Sequence, residues 1–314
     1  MNFRIVFMGS QDFSVPALEI LAESGCRIEA VVTRPDRPAG RGRRLRPTPV
    51  KATATTRGLR CLDPASVKSP ELRAEIEKIH PDFIVVAAYG GILPGTLLRL
   101  SRRGCLGVHP SLLPFYRGAN PIRWALVQGE TQTGVTIFEL AEGIDTGRII
   151  LQQAESILPA DDFGSLSARL AKTGAELLAT ALRLFASEKV VLSAQSGPAS
   201  EAPMFSRENE KLDWSLPAEK VNNWIRGLSP SPGAYAFFQG KRLKILSARA
   251  VPGPRNPEPG LILESHPEGK STRVACGGGF LDLVKVQLEG GKPVLIQDFL
   301  RGHPLKPGER LGES

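Results

Sequence analysis

The sequence is poor in cysteine and has no C-x-x-C pair; Cys26, Cys61, Cys105 and Cys276 are scattered along the chain. That spacing excludes a zinc knuckle and a disulfide framework by pattern, and it fits a reducing cytoplasm. Long apolar runs are missing too. No stretch approaches the roughly 20 apolar residues that span a bilayer, and MNFRIVFMGSQDF lacks the apolar core and cleavage signature of a signal peptide. A soluble, cytoplasmic protein with no membrane partner is expected. Neither an H-E-x-x-H motif nor a P-loop occurs, so no metal is expected, and MGSQDF has one glycine where a dinucleotide fingerprint wants three.

What is present is ordinary globular composition, 41% hydrophobic and 23% charged over 314 residues. That length exceeds the size at which one hydrophobic core usually stops growing, which favours two domains. Forty Lys plus Arg against 32 Asp plus Glu leave a formal charge of +8, favouring anionic partners.

In the first half, the short β-branched runs Arg4 to Phe7, Arg27 to Thr33, Phe83 to Ala88 and Cys105 to His109 alternate with helix-length segments. This rhythm predicts βαβ units and a mostly parallel sheet. SVPALEILAESG reads as a helix with Ser14 as N-cap, Pro16 in its first turn and Gly25 as terminator. Two further strands over 133–157 and a long helix over 165–187 complete an α/β domain at 1–189. A small, polar, Pro-containing stretch at 190–207 reads as a linker. After a short helical opening, 208–314 breaks into AYAFF, KRLKILSARAV, GLILES, TRVACG, FLDLVKVQ and PVLIQDFL, the spacing of a small β-barrel.

Ligands of open parallel sheets collect at the carboxyl ends of strands, and His109 sits at such an end. There it can protonate or polarise a carbonyl; alternatively it is a packed histidine bonded to backbone. Asp145, in the glycine-flanked AEGIDTGRI, is read as a presented carboxylate. Its Asp-Thr-Gly has no second copy, which counts against the shared-proton dyad of an aspartic protease. From Thr33 to Lys51, seven basic residues face one acid, Asp36, with four prolines and two glycines among them. That composition predicts an exposed loop suited to phosphates, or simply a solvated surface.

MGSQDFSVPALEIL, TRPDRPAGRGRRLRPTPVK, VAAYGGILP, HPSLLPFYRGANPI, TGVTIFELAEGIDTGRI and KLDWS, in this order and spacing, resemble the methionyl-tRNA formyltransferase family over nearly the whole chain. The resemblance implies a Rossmann-like formyltransferase domain followed by an OB-like tRNA-binding domain. It also implies 10-formyltetrahydrofolate as formyl donor, initiator Met-tRNA as acceptor, and a monomer. His109 and Asp145 match two of the family's catalytic trio of Asn, His and Asp. Gly107 stands where the family has Asn. Alternate residues of a strand share a face, so position 107 should face the same reactant as His109, and the oxyanion donor there is absent. A water, another donor such as the amide of Asn120, or a lowered rate would each answer the gap. If the missing amide is a defect, Gly107→Asn keeps or raises activity.

By the same resemblance, Ser111, Leu112, Leu113 and Pro114 contact the folate, and Tyr89, Gly90 and Ile92 line the pterin pocket. Read without it, Leu112 and Leu113 are core. Arg41, Arg43 and Arg44 meet the acceptor end of the tRNA, and Lys241, Arg242 and Lys244 form a basic strand that is either an RNA grip or solvated surface.

Overall fold

The computed structural model describes residues 1–39, 44–256, 258–266 and 271–312. The chain forms two compact units: Met1–Pro121, Gln132–Ser156 and Ser167–Pro203 make the first, and Ile122–Thr131, Ile157–Leu166 and the described residues from Met204 onward make the second.

In chain order the elements begin with β1 (Arg4–Gly9), α1 (Val15–Glu23), β2 (Arg27–Val32), β3 (Arg37–Ala39), β4 (Arg44–Arg46) and α2 (Pro49–Thr56). They continue with β5 (Cys61–Leu62), α3 (Pro70–Ile79), β6 (Phe83–Ala87), α4 (Gly95–Leu98), β7 (Cys105–His109) and β8 (Arg117–Gly118). Next come α5 (Pro121–Gln128), β9 (Gln132–Glu139), β10 (Ile149–Ser156), α6 (Phe163–Ala186) and β11 (Glu201–Ala202).

The main sheet of the first unit has the order β10-β9-β7-β6-β1-β2-β5. Strands β7, β6, β1, β2 and β5 run parallel, while β9 and β10 are antiparallel. Ile5, Val6, Phe7 and Met8 are all fully buried, as expected of a parallel strand covered on both faces. One face carries the α3 cluster, in which Leu72, Ile76 and Ile79 pack with Val6, Met8, Ile84 and Cys105. The other carries α6, whose Gly174 lies so close that an added Cβ would come within 2.9 Å of Val108 and 3.3 Å of Val135. The carboxyl ends of β1, β6 and β7 therefore share one edge, with His109 last on β7.

Three local expectations are corrected in this unit. Ser14 precedes α1, but its hydroxyl makes no cap; it is fully buried and donates to the Ala87 carbonyl at 2.6 Å. The basic stretch is not wholly irregular: β3 and β4 form a short hairpin with Pro38 opposite Leu45, tolerated because a two-stranded ribbon leaves its outer edges unpaired. Pro49 opens α2, whose N-cap Thr48 accepts from the Lys51 amide at 3.1 Å. The stretch read as a linker is bonded into the first unit between Ser193 and Ala202, and β11 pairs with β8.

The second unit adds α7 (Ala218–Leu228), β12 (Ala234–Phe238), β13 (Lys241–Val251), β14 (Ile262–His266), β15 (Ser271–Ala275), β16 (Phe280–Leu288), β17 (Val294–Leu295) and α8 (Ile296–Gly302). Its antiparallel sheet has the order β12-β13-β16-β15-β14, with β17 paired to β16. The core joins Val221, Ile225 and Leu228 of α7 to Leu243, Ile245, Leu281 and Leu283 of the sheet. PVLIQDFL, expected as a strand, pairs only at Val294 and Leu295 and then turns into α8. Ile296, Phe299 and Leu300, spaced i, i+3, i+4, bury one helical face in that core.

Candidate active site

His109 ends β7 with 6% of its surface exposed. Its Nε2 lies 2.9 Å from the Tyr116 carbonyl, and its Nδ1 lies 3.5 Å from Asp145 Oδ2. Both ring nitrogens thus face oxygen atoms, one from the backbone and one from a carboxylate. Sequence reading brings these two residues together and the structure does the same.

Asp145 lies in the β9–β10 loop in a left-handed conformation, φ +51°, unusual for a residue with a side chain. The loop is too tight for a larger neighbour: a Cβ on Gly147 would come within 1.6 Å of the Glu139 carbonyl oxygen. The Asp145 carboxylate is 18% exposed, so it is mostly buried rather than presented. Oδ2 accepts from the Gly118 amide at 2.9 Å, and among the described residues Oδ1 has no hydrogen bond.

Gly107 shares the His109 face, and its cross-strand partner is Phe138. A Cβ at 107 would lie 2.3 Å from Phe138 Cε1 and 2.8 Å from Cζ. The Cβ position of residue 107 is therefore occupied by an aromatic ring. The same ring stands edge-on to the imidazole, with centroids 6.2 Å apart and planes at 81°. Asn120 directs its amide nitrogen to the Pro203 carbonyl at 3.3 Å.

The turn after β7 is held by its own bonds. Ser111 Oγ donates to the Phe115 carbonyl at 2.6 Å, and Thr136 Oγ1 donates to the Ser111 carbonyl at 2.6 Å while accepting from the Leu113 amide at 3.1 Å. Gln152 Nε2 reaches the Leu113 carbonyl and Thr136 Oγ1, each at 2.9 Å. Ser111, Leu113 and Pro114 are buried, whereas Leu112 is partly open. Tyr89 is buried in the α3 cluster, and that burial raises its phenol pKa. Gly90, φ +78°, faces the Arg34 guanidinium, and Ile92 is exposed.

Of the basic candidates, Arg41 and Arg43 lie outside the described residues, and Arg44 is described only through its backbone pairing with Ala39. Lys51 is an anchor of the hairpin: its Nζ meets Asp36 at 2.9 Å and Asp63 at 2.7 Å, and these bonds raise its pKa. Lys241, Arg242 and Lys244 do not form one basic face, because successive strand residues alternate. Arg242 sits over the Tyr235 ring at 4.7 Å, and Lys244 Nζ donates to the Pro232 carbonyl at 2.6 Å. Sequence reading missed Thr136, Phe138, Gln152 and Gln195, whose roles come from cross-strand and long-range pairing that leaves no local signal.

The formyl transferase family matches residues 3–182, and the formyl transferase C-terminal domain matches 204–304. Methionyl-tRNA formyltransferase of Syntrophus aciditrophicus (strain SB) is 46% identical over 316 residues, covering 99% of each chain. That of Geobacter sulfurreducens is 44% identical over 314 residues, covering 100% of this chain and 98% of the other. HypX from Aquifex aeolicus, in complex with tetrahydrofolic acid, shares the fold at a TM-score of 0.64 and 17% identity, covering 100% of this chain and 51% of HypX. With both domains matched in order and close to half of the residues identical from end to end, this chain belongs to the methionyl-tRNA formyltransferase family.

Proposed function

We propose that this chain transfers a formyl group from N10 of 10-formyltetrahydrofolate to the α-amino group of methionyl-initiator tRNA. The observation that carries the reading is the His109–Asp145 pair at the carboxyl edge of the sheet, within a chain of this family. The amine nitrogen attacks the formyl carbon, and the carbonyl electron pair moves to oxygen, giving a tetrahedral oxyanion. His109 holds positive charge beside that oxyanion. Asp145 favours the charged ring and takes up, through Oδ1 or a water, the proton lost by the amine. Collapse re-forms the carbonyl and breaks the bond from carbon to N10, which receives the proton taken from the amine, passed on from Asp145, and leaves as tetrahydrofolate.

Ile92 and Leu112, the open apolar members of the candidate set, are assigned to the flat ring of the folate. Ser111, Leu113, Pro114 and Tyr89 support them from behind, and Gly90 lets the backbone approach. Arg41, Arg43 and Arg44 are assigned to the acceptor end of the tRNA.

The test is to incubate the purified protein with Met-tRNA and 10-formyltetrahydrofolate and to measure formyl-methionine. Product formation is expected, with a loss on the order of a hundredfold or more in kcat for His109→Ala and Asp145→Asn. No product at high protein concentration would sink the reading and favour an RNA binder without catalysis. Full activity in Asp145→Asn would remove the carboxylate from the mechanism.

A further inference from the structure

We propose that Gln195 is a positioning residue of the catalytic pair, acting by holding the Asp145 loop against the segment that carries the acceptor for His109. The proposal rests on the reading of the site given above. Gln195 Nε2 donates to the Asp145 carbonyl at 2.7 Å and to the Gly147 carbonyl at 2.8 Å. Its Oε1 accepts from Arg117 Nε at 3.1 Å and from Arg117 Nη2 at 2.7 Å. Both donors and both acceptor sites of one amide are in use, so the side chain has a single orientation that satisfies it.

What it joins is specific. On one side is the loop whose Asp145 adopts the left-handed conformation, which surrounding bonds must maintain. On the other is the Tyr116–Gly118 segment, which supplies the carbonyl accepting from His109 Nε2 and the amide donating to Asp145 Oδ2. The same stretch is fastened again at Ser200, where Oγ accepts from the Tyr116 amide at 2.9 Å and the carbonyl accepts from the Arg117 amide at 2.8 Å. Residues 193–202 are therefore a strap over the two loops that frame the imidazole, and Gln195 is the point at which the strap touches both. Without it, the 3.5 Å approach of Nδ1 to Oδ2 loses its lateral support.

Two variants separate the halves of the clamp. Gln195→Leu removes all four bonds. Gln195→Glu keeps an acceptor for Arg117 but turns a carboxylate toward two carbonyls, so it tests the donor half even if the leucine variant does not fold. With the full-length protein, each should lower kcat about thirtyfold while KM for Met-tRNA and for the formyl donor stays within about twofold. In an Asp145→Asn background the same changes should cost less than about twofold, because the clamp acts through that carboxylate. Equal losses in both backgrounds, a loss confined to KM, or unchanged kcat would overturn the proposal. Exchange of the Gly118 amide hydrogen should accelerate about tenfold in both variants, a readout independent of turnover. Unchanged exchange would overturn the role of Gln195 even if the wild-type protein proved inactive, and an inactive wild type with accelerated exchange would instead refute only the assigned reaction.

Discussion

At position 107 the strand leaves no space for a side chain, and that changes what a reversion to asparagine would do. The absence of the family amide is visible in the sequence, but the residue that occupies its place is not, because Phe138 reaches Gly107 only through strand pairing. With Phe138 only 2% exposed, its ring cannot swing outward without opening the core. Gly107→Asn should therefore destabilise the protein by about 1–3 kcal/mol through overpacking and lower activity, contrary to the gain expected if the missing amide were a simple defect. Gly107→Asn combined with Phe138→Leu should recover part of both losses, since leucine lacks the ring atoms that the new Cβ would strike. Thermal unfolding and the transfer assay on the four proteins of this cycle decide it. Strictly additive losses would show that the ring is not the obstacle.

Elements were legible where one physical signal dominated. The runs that became β1 and β6 are β-branched and almost wholly buried, and α6 has a long apolar face, so their local pattern and final environment agree. Legibility failed where tertiary packing chose between alternatives: the octet at 293–300 alternates poorly as a strand and well as a helix, yet only the core around Phe299 reveals which face it needs. The His109–Asp145 pair was legible from motif order, whereas the strap bearing Gln195 looked like a linker because its partners lie far away in sequence. A comparable long-range tie in the second unit gives a prediction for the sheet itself. Asp282 on β16 is buried and accepts from Arg273 of β15 at 2.8 Å and from Arg249 of β13 at 3.1 Å. Burial alone would raise its pKa, but the hydrogen bonds from Arg273 and Arg249 outweigh it and hold the carboxyl below the usual range. A depressed folded-state pKa means stability that is present at neutral pH and lost as pH falls below about 4. Asp282→Asn should lower stability by about 1–3 kcal/mol at pH 7 and flatten that acid-side loss, as urea unfolding at the two ends of the range would show. Equal acid sensitivity in both proteins would place the effect elsewhere.

For the whole molecule, a formal +8 is not a map of RNA-binding charge, because many cations are engaged inside the fold. Lys51 lies between Asp36 and Asp63, Arg249 and Arg273 share Asp282, and Arg226 donates to the Asp161 and Leu158 carbonyls. Only a cation that can exchange its counterion for a phosphate contributes to the salt dependence of binding, by about 0.7 to 0.9 in the slope of log affinity against log salt concentration. On β13 this separates two lysines that composition treats alike. Lys241 is exposed and, among the described residues, its ammonium has no hydrogen bond or ion pair, whereas the Lys244 ammonium donates to the Pro232 carbonyl at 2.6 Å. If this strand meets the RNA backbone, Lys241→Ala should reduce the slope for Met-tRNA binding by close to one unit, and Lys244→Ala should leave it unchanged while weakening the fold slightly. The affinity for 10-formyltetrahydrofolate should be the same in both variants. Binding titrations across a salt series check this. A slope change in Lys244→Ala as large as that in Lys241→Ala would mean that its ammonium leaves Pro232 when RNA arrives, and no change in either would move the backbone contact off β13 altogether.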